Sequence, residues 1–289
     1  MVGAVPMTTL LDACAHASSI ALSAYILRDG RVKSALVAAG NRGAHVSVRL
    51  PVAPYSGGGD DLAAANRATV AELRTHGVDA RLSDPHSPPL HMKAAVVDRV
   101  AFLDDRNWAD DGAETIVRTD DADDVAVIAQ TLAGRPAHDA HLWTNKTDAE
   151  RAETQMLYHA TADRIDVESE SFGFSPVYGA LKAKALEGAH VRLIVSDREA
   201  TNPSNGRERR ALQNLEAAGV AIRIAPRDEK MAIVGSQAWV GSANATESKK
   251  TQDQIEWGMR SSVAALVASL RANFEANWQA GRPLQNQRL

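Results

Sequence analysis

The amino-acid sequence predicts an α/β protein built from two similar halves. The 289 residues are 45% hydrophobic, 24% charged and 4% aromatic, which is typical of a folded chain with a substantial core. An internal repeat and the alternation of helix-like and strand-like stretches then define the class. The composition excludes intrinsic disorder, and no apolar run reaches the ~18 residues of a membrane-spanning helix.

The repeat is visible near the start of each half. Gly43–Leu50 recurs as Gly188–Val195, and both copies begin Gly-Ala-His-Val. Each copy follows a helix-like stretch, Val32–Asn41 in the first half and Pro176–Glu187 in the second. Because self-similarity at a fixed order of elements indicates repeated structural units, we expect a duplicated fold.

The elements that follow the repeat correspond as well. In the first half the patterns predict helix, strand, lysine-bearing strand, strand and helix at 62–76, 79–82, 92–98, 114–118 and 123–132. In the second half the same series falls at 207–218, 221–224, 229–234, 254–259 and 263–278. Short apolar strands alternating with helices predict a mixed sheet flanked by helices in each half.

We therefore predict two α/β sandwich halves, at residues 8–143 and 154–282, related by a pseudo-twofold axis with a site at their seam. The polar stretch Thr144–Glu153 is expected to be a linker or a bridging helix. A single cysteine, Cys14, excludes an internal disulfide framework and is typical of a reducing compartment. The apolar N-terminal stretch lacks the basic start of a signal peptide, so we expect a cytoplasmic protein.

The charge distribution is uneven. A net charge of −4 does not favour nucleic acid or anionic lipid as a partner. Between Asp104 and Asp124, nine acidic residues stand against two arginines, which is typical of a solvated loop. A magnesium site in this run is a disfavoured alternative, because the carboxylates lack a recognisable ligand spacing.

The sharpest local pattern is His91-Met92-Lys93, followed by Asp98 and then by Asn107. On a strand, residues i and i+2 face the same way, so an imidazole and an ammonium group lie side by side. This pairing suits a phosphate, because lysine neutralises its oxygens while the imidazole attacks phosphorus or moves a proton. Asp98 has the opposite parity and is expected to anchor the turn.

The second half repeats this layout, and the chain here resembles the phospholipase D superfamily, whose mark is a paired HxK(x)4D motif followed by Gly-Ser-x-Asn. The residues that match are His91, Lys93, Asp98 and Asn107 in the first motif and Lys230, Gly241, Ser242 and Asn244 in the second. The family has an acidic residue after each asparagine, where this chain has Glu114 and Glu256. The resemblance covers nearly the whole chain.

The chain departs from the family at three places. Asp228 stands where the second histidine belongs, Gly235 replaces the second aspartate, and Asp104-Asp105 replaces the first Gly-Ser. The resemblance implies a reaction without metal, in which one histidine forms a phosphohistidine and the other protonates the leaving oxygen. The remaining histidine, His91, is then the nucleophile. The lysines and asparagines, with Ser242, would bind the phosphate oxygens.

Asp228 is a candidate for the missing acid. The family orients each histidine by the acidic residue of the opposite half, which implies that Glu256 holds His91 and that Glu114 faces Asp228. Two carboxylates held close together raise the pKa of one of them, so a protonated Asp228 would donate to the leaving group. The open alternative is that the second site has lost catalysis.

Two further sets of residues are weighed against plainer interpretations. His138 and His141 could ligate a metal, but no third ligand is identifiable, so a surface helix is favoured. Trp108, Trp239 and Trp257 lie near the motifs and could line a pocket, although core positions are favoured.

Together these features predict a metal-independent phosphodiesterase or phosphatidyltransferase that needs no cofactor. A lipid headgroup or small diester is favoured as substrate over nucleic acid, because the chain is net acidic and poor in aromatic residues. The alternatives are a catalytically silent phosphate-binding protein and an endonuclease of the same superfamily. Because the halves are duplicated, no oligomer is required to complete the site.

Overall fold

The structure is a computed structural model that describes residues 2–55, 61–108, 115–197, 206–226, 229–246 and 254–284. The chain forms two units. The first consists of Met1–Lys146 together with Asp253–Trp257, and the second of Thr147–Gln252 together with Gly258–Leu289. A short segment late in the chain therefore belongs to the first unit.

The first unit alternates helices and strands. Its strands are β1 (Gly3–Val5), β2 (Ser19–Ser23), β3 (His45–Leu50), β4 (Asp79–Leu82), β5 (Lys93–Val97), β6 (Val100–Asp104), β7 (Ile116–Thr119) and β8 (Leu142–Trp143). Its helices are α1 (Met7–His16), α2 (Gly30–Asn41), α3 (Leu62–Thr75) and α4 (Ala122–Leu132). The main sheet has the strand order β1-β7-β6-β5-β2-β3-β4.

The second unit repeats this order of elements. Its helices are α5 (Lys146–Tyr158), α6 (Pro176–Leu186), α7 (Gly206–Ala217) and α8 (Ala264–Ala280). Its strands are β9 (Arg164–Ser169), β10 (His190–Ser196), β11 (Ala221–Ala225), β12 (Met231–Val234), β13 (Gln237–Gly241), β14 (Gly258–Ser261) and β15 (Arg282–Pro283). Within this unit the strands follow the order β15-β11-β10-β9-β12-β13-β14.

Strand direction confirms the predicted mixed sheets and the duplication. In the first unit β2, β3 and β4 are parallel, and β5 joins them antiparallel to β2. In the second unit β9, β10 and β11 are parallel, and β12 joins them antiparallel to β9. The same crossover order with the same change of direction in both halves is expected of a duplicated unit.

Side-chain caps explain where several helices begin. The acceptor is an aspartate before α2, α3 and α4 and a serine before α6, namely Asp29, Asp61, Asp121 and Ser175. A short polar side chain at this position satisfies amide groups that have no partner inside the helix. These residues therefore set the starts of the helices that flank the sheets.

The structure decides one open expectation and corrects two others. The stretch Thr144–Glu153, predicted to be a linker or a bridging helix, contains the start of α5 and is therefore largely helical. His138 to His141 is not helical but lies in an irregular connection with an isolated bridge. Of the strand expected at 254–259, only residues 258 and 259 belong to β14. Ile255 instead forms an isolated bridge with Leu90.

Within the described residues, each helix is too short or too polar to cross a membrane.

Glu153 makes the stability of the fold depend on pH. Burial in α5, together with the smaller effect of nearby Glu150, raises the pKa of this carboxyl from 4.5 to about 8. Between those two values the folded chain keeps a proton that the unfolded chain releases, so stability decreases as pH rises through this window. We expect Glu153→Gln to stabilise the protein at pH 8 but not at pH 4.5, measured by urea unfolding.

The matched control is Glu187→Gln, because the Glu187 side chain is exposed at the end of α6. That variant should show the wild-type dependence of unfolding free energy on pH. A wild-type dependence in Glu153→Gln as well would contradict the assignment of a buried, protonated carboxyl.

Candidate functional site

A main-chain bridge in the first unit places a glutamate beside the predicted nucleophile. The His91 amide donates to the Ile255 carbonyl at 3.0 Å, and the Ile255 amide donates to the Pro89 carbonyl at 2.9 Å. This pairing aligns the segment before β5 with the segment before β14. Glu256, the next residue, is thereby held next to His91.

The imidazole of His91 lies between a buried carboxylate and a buried ammonium group. Its Nδ1 atom is 2.6 Å from Glu256 Oε1, and Lys93 Nζ is 3.0 Å from Nδ1 and 3.3 Å from Nε2. The His91 side chain keeps 19% of its surface exposed, whereas that of Glu256 keeps 2%. The arrangement therefore combines an accessible imidazole with two charged partners shielded from water.

Tyr25, which the sequence analysis did not single out, forms one wall of this cluster. Its ring meets His91 edge to face at 4.4 Å between centroids, and Lys93 Nζ lies 5.6 Å from the ring centroid. Burial raises the pKa of Tyr25 to about 12, although the hydrogen bond that its hydroxyl donates to the Tyr55 carbonyl lowers it. The phenol is therefore neutral at physiological pH and does not repel an anion.

The Asp104-Asp105 pair supports the loop that carries Asn107. Asp104 Oδ2 accepts from the Trp108 amide at 2.5 Å, and Asp105 Oδ1 accepts from the Thr115 amide at 3.1 Å. Both aspartates are fully buried, so the expectation of a solvated loop is wrong here. Asn107 is half-buried, and its Oδ1 atom, a hydrogen-bond acceptor, has no partner.

The predicted anchor, Asp98, lies in the turn between β5 and β6. Its Oδ1 atom accepts from the amides of Ser18 and Ser19 at 3.1 and 2.9 Å, which joins the turn to the start of β2. Asp98 has φ of 52°, and Gly235 has φ of 55° at the same position of the second unit. Because glycine adopts this conformation without strain, Gly235 keeps the turn but not the carboxylate.

The second unit holds a separate cluster around Lys230. Lys230 Nζ is 3.2 Å from Glu170 Oε2, and Asn244 Nδ2 donates to the same oxygen at 3.3 Å. Asn244 Oδ1 accepts from the Ser171 amide at 3.2 Å. Two donors of the second motif thus converge on one carboxylate oxygen, the arrangement they would also offer to a phosphate oxygen.

Strand register makes Glu170 the counterpart of Tyr25. Ser23 is paired with the residue after Lys93, and Glu168 is paired with the residue after Lys230. Tyr25 and Glu170 each lie two residues further on, just beyond the ends of β2 and β9. The sequence analysis missed both, because it did not extend the repeat to these strands, where the shared signal is only a pair of apolar residues two positions apart.

The remaining predicted residues divide by location. Ser242 is fully buried in the second unit, one residue beyond β13. Asp228 and Glu114 lie outside the described residues. The three tryptophans near the motifs, Trp108, Trp239 and Trp257, are buried, and Trp108 Nε1 and Trp257 Nε1 donate to backbone carbonyls. They are core residues.

Comparison with known families identifies the second half. The family model for "Cardiolipin synthase, PLD-like domain" matches residues 154–278. That range runs from α5 to α8 and contains Lys230, Ser242 and Asn244. A search of curated proteins finds no match.

A solved structure shares the fold over nearly the whole chain. A polyphosphate kinase from Porphyromonas gingivalis aligns with 99% of the chain at 16% identity and a TM-score of 0.69. The chain spans only 48% of that kinase. Nuc from Salmonella typhimurium, a phospholipase D family member, aligns over 100% of its own length with 53% of this chain, at 17% identity and a TM-score of 0.44. NucT from Helicobacter pylori aligns over 97% of its own length with 50% of this chain, at 16% identity and a TM-score of 0.44.

Proposed function

From the match of residues 154–278 to a PLD-like domain, we propose that the chain is a phospholipase D-like, metal-independent phosphodiesterase that forms a phosphohistidine on His91. The observation that carries the proposal is the contact of 2.6 Å between His91 Nδ1 and Glu256 Oε1, with Lys93 alongside. An imidazole positioned by a carboxylate is the usual arrangement for a nucleophile or a general base.

We propose that Glu256 favours the tautomer that the reaction needs. A carboxylate accepts hydrogen bonds, so the contact at 2.6 Å favours a proton on Nδ1 of His91. The lone pair is then on Nε2, the atom that would attack phosphorus. As positive charge develops on the ring during attack, the buried carboxylate stabilises it.

Lys93 and Asn107 are suited to bind the phosphate. The Lys93 side chain is buried, and its ammonium group is 3.3 Å from Nε2. A phosphoryl group arriving at Nε2 would therefore meet a positive charge that is poorly screened by water. Asn107 would supply a further contact through its Nδ2 group, because a phosphate oxygen accepts hydrogen bonds and only the nitrogen of an amide side chain donates them.

The proposed reaction has two balanced steps. His91 Nε2 attacks phosphorus, so that an N–P bond forms, the P–O bond to the leaving alcohol breaks, and the alcohol takes a proton from an acid. Water or a second alcohol then attacks phosphorus and loses a proton, and the N–P bond breaks. Asp228, with Glu114 raising its pKa, is proposed as the acid on the sequence alone, because both lie outside the described residues.

We keep a lipid headgroup or a small diester as the proposed substrate class. The net charge of −4 supports this preference, because a nonspecific nuclease neutralises many phosphates with basic residues. The aspartates around Asn107 support it too, since they would repel a long polyanion. A cytoplasmic location remains part of the proposal and is supported by the single, buried Cys14.

The test is a search for the covalent intermediate. Wild-type protein is incubated with an activated diester, bis(p-nitrophenyl) phosphate, in EDTA and then quenched in alkali, where an N–P bond survives. We expect turnover, and a phosphoryl adduct on the peptide that contains His91, located by mass spectrometry. Turnover that EDTA abolishes, or an adduct on another residue, would contradict the mechanism. Phosphate binding without turnover would favour the silent binding protein.

Glu170 is expected to weaken anion binding at the second unit. It occupies Lys230 and Asn244 with a charged oxygen, where the first unit has a neutral tyrosine. We expect Glu170→Gln to increase the affinity for inorganic phosphate by roughly tenfold, because one charged hydrogen bond is released for the ligand. Calorimetry measures this change in a Lys93→Ala background, so that the first cluster does not mask it.

The control combines Glu170→Gln with Lys230→Ala, which should lose the gain because the main phosphate donor is absent. If Glu170→Gln alone leaves phosphate affinity unchanged or lowers it, Glu170 supports the anion site instead of competing with the anion.

A further inference from the structure

A second cluster of ligand-type side chains lies in the first unit, at the start of α4. Among the described residues, Asp124, Asp139 and His141 form the one group of three histidine, cysteine or acidic side chains whose ligand atoms all lie within 4.8 Å of one another. Asp124 is on α4, while the other two precede β8. The cluster is made of residues that the proposed phosphohistidine mechanism does not use.

The buried carboxylate of Asp124 has one engaged and one unsatisfied oxygen. Its Oδ2 atom accepts from the Thr119 hydroxyl at 2.7 Å. Its Oδ1 atom is fully buried without a hydrogen-bond partner, although His141 Nε2 is only 3.0 Å away. The two atoms are close but not aligned as donor and acceptor, which is the relation of two ligands that point at one ion.

Asp139 shows the same division of its oxygens. Its Oδ1 atom accepts from the amides of His141 and Leu142 at 2.7 and 2.8 Å, which fixes the side chain. Its Oδ2 atom is buried without a partner. Two carboxylates held this close repel each other when both are charged, and a cation between them would remove that repulsion.

We propose that Asp124, Asp139 and His141 form a Zn²⁺ site. Two carboxylate oxygens and one imidazole nitrogen are ligands that zinc accepts, with water in the fourth position. Ligand atoms at usual zinc distances and angles lie roughly 3.0–3.4 Å apart. The contact of 3.0 Å between His141 Nε2 and Asp124 Oδ1 falls in this range.

The surroundings provide what a metal site needs. The Thr119 hydroxyl orients the Asp124 carboxylate from outside the ligand set, as supporting residues commonly do. The His141 side chain is 39% exposed, so the ion has a route from solvent. The ion would join the start of α4 to the irregular segment before β8 and stabilise that connection.

The experiment is calorimetric titration of the full chain with ZnCl₂ after removal of bound metals by EDTA and dialysis. We expect one tight site per chain, and d–d absorption bands of low coordination number when Co²⁺ replaces zinc. His141→Ala should weaken zinc binding at least ~100-fold, and Thr119→Val should weaken it roughly 10–100-fold.

His138→Ala is the matched control, because His138 is exposed three residues earlier and is not part of the cluster. It should bind zinc as the wild type does, while His141→Ala does not. The proposal is overturned if the stripped protein binds no zinc, if both histidine variants bind it equally, or if Mg²⁺ binds as tightly. These readouts do not depend on turnover, so they stand or fall separately from the proposed phosphodiesterase.

Discussion

Replacement of His91 by alanine is expected to lower turnover of bis(p-nitrophenyl) phosphate by roughly 10³-fold or more, because the variant lacks the proposed nucleophile. Even a diester with a good leaving group needs an attacking atom, so the activated p-nitrophenyl leaving group should not rescue the variant. Initial rates in EDTA, together with mass spectrometry for the His91 adduct, measure the effect.

Two further variants serve as controls for the His91→Ala measurement. His86→Ala changes an exposed histidine in the loop five residues earlier and should keep wild-type turnover. His91→Gln retains a side-chain amide that can donate a hydrogen bond to the buried Glu256. Because this variant leaves no unpaired buried carboxylate, a loss of turnover in it would not be due to unfolding. Near wild-type turnover in a folded His91→Ala protein would exclude His91 as the nucleophile.

The second large effect is expected for Glu256→Gln, which removes the charge beside His91 Nδ1 but keeps the shape of the side chain. We expect kcat to decrease by roughly 10²–10⁴-fold with little change in KM, by analogy with the loss of a carboxylate that orients a catalytic histidine. The reason is that Glu256 acts through His91 and does not need to touch the substrate.

Nitrogen NMR of His91 separates this positioning role from a structural one. In the wild type we expect a predominant tautomer with the proton on Nδ1, and in Glu256→Gln a mixture of tautomers. Glu72→Gln, which changes an exposed carboxylate paired with Lys33, serves as the control and should alter neither kcat nor the spectrum. An unchanged tautomer together with an unchanged kcat in Glu256→Gln would contradict the assigned role.

Much of the fold followed from local patterns. Apolar periodicity and the Gly-Ala-His-Val repeat predicted the α/β class and the duplication, and the matching strand orders of the two units confirm both. Spacing within the first motif predicted that His91 and Lys93 lie side by side, and their side chains are in contact although His91 precedes β5. Such features depend on neighbours along the chain, so they can be predicted without the fold.

Contacts between segments far apart in the sequence could not be predicted from local patterns. His91 and Glu256 are 165 residues apart, and only the resemblance to a family suggested that they meet. The roles of Tyr25 and Glu170 depend on strand register, which no local spacing reveals. The acidic run was expected to be solvated, yet Asp104, Asp105 and Asp124 are buried with specific partners.

By itself, the sequence determined the class of fold and its duplication, and it supplied the residues that we propose for phosphate chemistry. Only the tertiary structure decided which groups surround them: a neutral tyrosine beside His91, a carboxylate on Lys230, and two aspartates with a histidine at the start of α4. The physical reason is that periodicity and turn chemistry act over a few residues. Burial, charge pairing and ligand geometry arise only when strands from distant parts of the chain pack together.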